Sequence, residues 1–161
     1  MNTTISVFQR IVLLLLFISS TTIALAQKKN KLAFAKGADV SWLPQMEATG
    51  HRFYDTDGKE KDCLQLLKER GMNTIRLRVF VNPSQDKASG HCSKEETVAM
   101  ALRAQKAKMR IMIDFHYSDT WADPSKQTKP AAWAELSFDD LKKAVTAHTT
   151  EVLSTLKENG I

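Results

Sequence analysis

The sequence predicts an α/β fold with a parallel sheet, on three observations. Strand-like and helix-like stretches alternate. Strand centres recur about every 37 residues, near Asp39, Leu77 and Ile113. Each strand carries one apolar face and one face with polar or charged groups. Alternating units of this kind build parallel sheets with right-handed crossovers, and the apolar faces suit covering helices.

The first 26 residues stand apart from this pattern. Arg10 precedes the apolar run IVLLLLFI (Ile11–Ile18), and Ala24–Leu25–Ala26 closes the segment. A basic start, a short apolar centre and an A-x-A end predict a secretory signal peptide over residues 1–26, cleaved after Ala26. The run is too short for a membrane span, which needs roughly 20 apolar residues. Cleavage before Gln27 leaves no terminal cysteine for a lipid anchor. The mature chain is expected to be secreted or periplasmic, with no membrane contact after cleavage.

Removing 26 of 161 residues leaves 135, enough for one small domain with a core. The leader holds one of the 23 basic residues and no acidic one, so the mature net charge is +4. The lysines spread over several helix faces, which argues against a nucleic-acid partner. Export makes a Cys63–Cys92 disulfide feasible, and two free thiols are the alternative. No C-x-x-C pair occurs and the four histidines are scattered, so no metal site is expected.

FAKGADVS (Phe34–Ser41) reads as the first strand. KDCLQLLKERG follows as a helix, with Leu64 and Leu67 on one face and Gly71 ending it. TIRLRVFV (Thr74–Val81) is the second strand, rich in β-branched residues. The next helix opens on a capping box, Ser93 to Glu96, with Val98, Ala101, Leu102 and Ala104 at helical spacing. RIMIDF is the third strand. The last helix starts at Ser137 and carries the stripe Phe138, Leu141, Val145, His148, Val152 and Leu156, with Asn159–Gly160 at its end. Three β/α units make either a small three-stranded domain or the first part of a (β/α)₈ barrel, which needs about 250 residues.

Side chains alternate across a strand. Asp39 with Gly37 and Ser41, Arg76 and Arg78 with Phe80, and Asp114 and His116 with Met112 therefore share one face of the sheet. The opposite faces are Ala38, Val40 and Trp42, then Ile75, Leu77, Val79 and Val81, then Ile111, Ile113 and Phe115. Buried unpaired charges are costly, so the two arginines and two aspartates should pair. Such a cluster serves either as a structural ion-pair network or as an active-site floor. Its place towards the strand ends favours the floor. The 20 residues Tyr117–Leu136 show no helical pattern and contain Asp119, Trp121, Asp123 and Trp133. Aromatic faces with carboxylates suit a sugar, and long ordered loops are commonly functional. Trp121 fits a surface or ligand role, and Trp133 fits core packing ahead of the helix.

GADVSWLPQMEATG, NTIRLRVFVNP and above all IDFHYSDTWADPSKQTKPAAW resemble glycoside hydrolase family 53, the secreted endo-β-1,4-galactanases. The likeness runs from about Phe34 to Ile161. It implies that residues 27–161 are the N-terminal part of a (β/α)₈ TIM-barrel catalytic domain, its first three β/α units, truncated before strand four. It also implies a polysaccharide substrate, β-1,4-galactan in type I arabinogalactan, cleaved with retention of configuration and without a cofactor. The family's two catalytic glutamates, one in a Gly-Asn-Glu motif, are expected beyond residue 161, so no catalytic residue is assigned. By the same resemblance Asp39, Arg76 and His116 line the reacting floor. Arg76 orients the nucleophile's carboxylate, and Trp121 and Asp123 contact the sugar. Face-counting alone fits Arg78 as well as Arg76. Phe80 stands where the family usually has tryptophan, and Lys108 where it has the glycine after the second helix. An alternative from the same residues is a non-catalytic secreted galactan-binding module using Trp121.

Overall fold

A computed structural model describes residues 33–86 and 91–161. Ala35–Ile161 form one compact unit, which carries the fold. The expected signal peptide lies outside the described residues. Among the described residues no helix is long and apolar enough to cross a membrane.

Three strands form one parallel sheet in the order β1 (Gly37–Asp39), β2 (Thr74–Val79), β3 (Arg110–Phe115). The register sets Asp39 beside Arg76, and Arg78 beside Asp114. Asn73 ties the strand starts together. Its side chain accepts from Lys36 N and Arg110 Nη2, each at 3.0 Å, and its carbonyl accepts from Arg110 N at 2.8 Å. At Gly37 the backbones run so close that a Cβ would sit 2.6 Å from the Thr74 carbonyl oxygen. Only glycine fits there.

The helices cover the apolar strand faces. Leu43–Ala48 (α1) is a short helix that the sequence reading, which continued the first strand to Ser41, did not include. Proline near its first turn supplies the fixed φ that a helix start accepts. Cys63–Glu69 (α2) is capped by the Asp62 side chain on Gln65 N, and Gly71 ends it at φ 86°. Lys94–Lys106 (α3) starts on Ser93, whose hydroxyl accepts from Glu96 N at 3.2 Å, while the Glu96 carboxylate meets His91 Nδ1 at 2.5 Å. Phe138–Glu158 (α4) starts on Ser137 and closes with Gly160 at φ 76° and Ile161 N bonded to Leu156 O.

The core lies between β2 and these helices. Leu64, Ile75, Val79, Ala101, Ala104 and Val152 are fully buried, and Leu77 nearly so. Two expected core positions differ. Leu102 is 39% exposed, because the buried stripe of α3 is Thr97, Met100, Ala101 and Ala104 and the next residue turns about 100° away. Phe138 is 76% exposed at the first helical position, with Lys142 Nζ 5.1 Å from its ring centre. Its stripe reaches the core only further along, at Val152 and Leu156.

Lys108 adopts φ 55° after α3, the position where a glycine costs nothing. The terminating bonds still form, from Lys108 N to Gln105 O and from Met109 N to Ala104 O. Lys108→Gly should therefore raise unfolding free energy by about 0.5–1 kcal/mol in urea titration.

His148 sits among Phe115, Tyr117 and Trp133, with ring centres 6.1 to 6.3 Å away. Burial pushes its pKa below the ordinary 6.5, against the pull of Glu151 and with the push of Lys94. The folded state disfavours the proton, so this contribution is complete above pH 6.5 and is lost as pH falls below it. His148→Phe should flatten the fall in melting temperature between about pH 6.5 and pH 5 relative to the unsubstituted chain.

Candidate functional site

Strand alternation and parallel register bring Asp39, Arg76, Asp114 and His116 onto one face, as the sequence predicts. Arg76 is the hub. Its Nη1 donates to Asp39 Oδ2 and its Nη2 to Asp114 Oδ2. His116 Nε2 meets the same Asp114 oxygen at 2.8 Å. The His116 ring also lies edge-on to Phe80, with centres 5.6 Å apart, and 5.7 Å from Trp121. Phe80 therefore packs on the histidine of the wall.

Asp39 is held from three sides. Ser41 donates to its Oδ1 through Oγ at 2.6 Å and through N at 2.9 Å, Arg76 binds Oδ2, and Arg78 Nε lies 3.6 Å from Oδ2. Burial pushes the Asp39 pKa up, but the Ser41 bonds and the two arginines outweigh it, so the carboxyl sits below its usual range. Ser41 Oγ in turn accepts from Arg78 N at 2.7 Å, which fixes the second strand against the residues after the first.

The two arginines behave differently. Arg76 is partly exposed and bridges two carboxylates. The Arg78 side chain is 5% exposed, and its guanidinium carbon lies 5.4 Å from the Trp42 ring centre and 4.8 Å from that of Trp121. Trp42 itself departs from expectation. It is 56% exposed and does not join Ala38 and Val40 towards the helices, because β1 ends at Asp39 and Trp42 begins the turn into α1.

The long loop contains one 3₁₀ turn, Ala131–Trp133, and a bridge between Asp123 and Lys126. Asp119 accepts from Asn82 N at 3.0 Å and Ala131 N at 2.9 Å, so its carboxylate fastens the loop at both ends. Trp133 is buried against Tyr117 and His148. Trp121 is 48% exposed, and its Nε1 donates to Asp123 Oδ2 at 3.0 Å. Asp123 also accepts from Ser125 Oγ and N, and these Ser125 bonds hold its carboxyl below the usual range. In this structure Asp123 shapes the turn and steadies Trp121.

Cys63 and Cys92 are free thiols, which decides between the two alternatives for them. Burial pushes Cys92 up to about 11, and its Sγ donates to Ser41 O at 3.3 Å. A cleft of about 680 Å³ opens beside β1, lined by Asp39, Trp42, Met46, Phe53, Arg78 and Trp121 among others. The sequence reading gave neither α1 nor Trp42 to this cleft. Pro44 and the i, i+3 pair Leu43 and Met46 were the available signal. Among the described residues no three His, Cys, Asp or Glu side chains converge to hold a metal ion.

The model of glycosyl hydrolase family 53 matches residues 35–161. The chain belongs to glycosyl hydrolase family 53. It is 39% identical over 132 residues to a Bacillus subtilis protein named endo-beta-1,4-galactanase, covering 80% of this chain and 31% of that one. It is 36% identical over 150 residues to the arabinogalactan endo-beta-1,4-galactanase of Cellvibrio japonicus, covering 89% of this chain and 39% of that one. The solved catalytic domain from Ignisphaera aggregans, of the same family, superposes with a TM-score of 0.73 at 40% identity, covering 79% of this chain and 36% of that chain. The chain thus spans about a third of the length of the relatives it matches. Its three parallel β/α units are part of a (β/α)₈ barrel.

Asp39→Asn removes the charge that faces both arginines. It should lower stability at neutral pH by about 1–3 kcal/mol in denaturant titration. The lowered pKa means that the carboxylate's contribution is present above the ordinary value of 3.8 and lost as pH falls below it. The variant should therefore show a shallower loss of stability below that pH.

Proposed function

We propose that this chain is part of a secreted endo-β-1,4-galactanase that hydrolyses the β-1,4-galactosidic bonds of type I arabinogalactan. The observation that carries this reading is the wall formed by Asp39, Arg76, Asp114 and His116 with Trp121 beside it, in a chain 39% identical to a named endo-beta-1,4-galactanase. The leader ending at Ala26 supports export.

Each residue has a role in that reading. Retaining glycosidases use two carboxyl groups about 5–5.5 Å apart, one as acid and base and one as nucleophile. Asp39 and Asp114 are both bound to Arg76 and so are support groups, not this pair. Fixed between them, Arg76 presents a constrained cation that orients the nucleophile's carboxylate and keeps it ionised. His116, steadied by Asp114, lines the pocket of the reacting sugar. Trp121 offers its exposed ring to the C–H face of a galactose unit, and Asp123 fixes the indole and borders the sugar.

No Gly-Asn-Glu tripeptide occurs in the sequence. By the resemblance, the chain by itself should therefore leave galactan uncut; binding without hydrolysis would favour the alternative of a non-catalytic galactan-binding module. Purified chain incubated with β-1,4-galactan should release no oligosaccharides by chromatography, whereas calorimetry with β-1,4-galactotetraose should register binding that Trp121→Ala abolishes. Oligosaccharide release would overturn the prediction that this chain lacks the catalytic carboxyl pair. Absence of binding would overturn the carbohydrate reading of the wall.

A further inference from the structure

Arg78 is a buried charge without full hydrogen bonding. Its guanidinium is nearly fully buried, yet Nε and Nη1 have no hydrogen-bond partner. The nearest carboxylate oxygen, Asp39 Oδ2, is 3.6 Å from Nε and already accepts from Arg76. A buried charge in this state loses its hydration without full compensation, and an apolar side chain of similar length commonly serves stability as well or better. Packing therefore does not account for an arginine at this position. What the guanidinium does contact is aromatic: it lies over the rings of Trp42 and Trp121.

Trp121 needs such a contact. It stands half exposed in a long loop, where an indole held only by its own backbone would sample several rotamers. Three groups act on it here: Asp123 on the indole N–H, His116 at 5.7 Å, and Arg78 at 4.8 Å. Asp123 belongs to the same loop as Trp121, and His116 follows directly on β3, its N donating to Val79 O at 3.0 Å. Arg78 reaches it from β2, and its backbone is pinned at both polar groups, N to Ser41 Oγ at 2.7 Å and O from Thr97 Oγ1 at 3.1 Å. The planar cation thus refers the indole to the rigid sheet.

Granted the carbohydrate reading of the site, we infer that Arg78 is a positioning residue: its guanidinium fixes Trp121 in the orientation that presents one indole face to a galactose ring. Trp42 lies under the same cation and extends this arrangement towards the cleft beside β1. Arg76 and Arg78 then divide two tasks between adjacent inward positions of one strand, the first orienting carboxylates and the second orienting an aromatic ring.

The test uses the full chain, titrated with β-1,4-galactotetraose by calorimetry, with melting temperature and near-ultraviolet circular dichroism measured in parallel. Arg78→Met keeps the length and removes the planar cation. The expected result is an unchanged or higher melting temperature, an altered tryptophan signal, and affinity about three- to tenfold weaker. Should Arg78→Met fail to fold, Arg78→Lys keeps the charge without the plane and should show the same loss of affinity. Affinity that survives in the folded variant, while Trp121→Ala abolishes it, would overturn the role of Arg78 and leave the carbohydrate reading intact. A parallel fall of stability and affinity would also overturn it, marking Arg78 as a structural residue. No binding by the unsubstituted chain would overturn both together.

Discussion

A parallel sheet that carries charge on one face must neutralise it within that face, and here the bridge of Arg76 between Asp39 and Asp114 meets the requirement. The parallel register places Asp39 directly beside Arg76, and Arg78 beside Asp114. Two cations and two anions then stand on neighbouring strands within reach of one another. Without this pairing the inner face could not carry charges, and the wall would reduce to an ordinary apolar packing surface. His116 follows from the same bridge, because the Asp114 oxygen that accepts from Arg76 also lies 2.8 Å from His116 Nε2.

The loop after β3 is organised by carboxylates acting inside the protein. Asp119 joins its start to the 3₁₀ turn and to the end of the second strand, and Asp123 closes a local turn while holding the Trp121 nitrogen. Tyr117, Trp133 and His148 pack the loop onto α4. A 20-residue connection keeps a defined shape through such internal bonds, and this leaves the Trp121 ring half exposed beside the charged wall. The two tryptophans of this loop have opposite fates for a plain reason. Trp133 is followed by the helix that buries it, and Trp121 is anchored only along its edge and one face.

Much of this was legible in the sequence. Period-two alternation through TIRLRV and RIMIDFH assigns Arg76, Arg78, Asp114 and His116 to one face. Ser93, Ser137 and Gly71 mark helix ends through local hydrogen bonding, which depends on neighbours only a few residues away. Leu102 and Phe138 were misjudged because helical spacing gives a stripe but not which part of it meets the sheet. Trp42 was misjudged because alternation holds only while a strand continues, and β1 stops at Asp39.

The sequence by itself determined the β/α alternation, the polar face of each strand and the resemblance to a galactan-hydrolysing family, since each depends on local pattern. Only the tertiary structure decided how each arginine is partnered. Both point inward, but Arg76 sits between two carboxylates and stays partly open, while Arg78, one pleat further on, is covered by Trp42 from the turn after β1 and Trp121 from the loop after β3. Those two rings lie 79 residues apart in the chain, and no local pattern relates them. Their meeting over one guanidinium is set by the register of the sheet and by the anchoring of the loop.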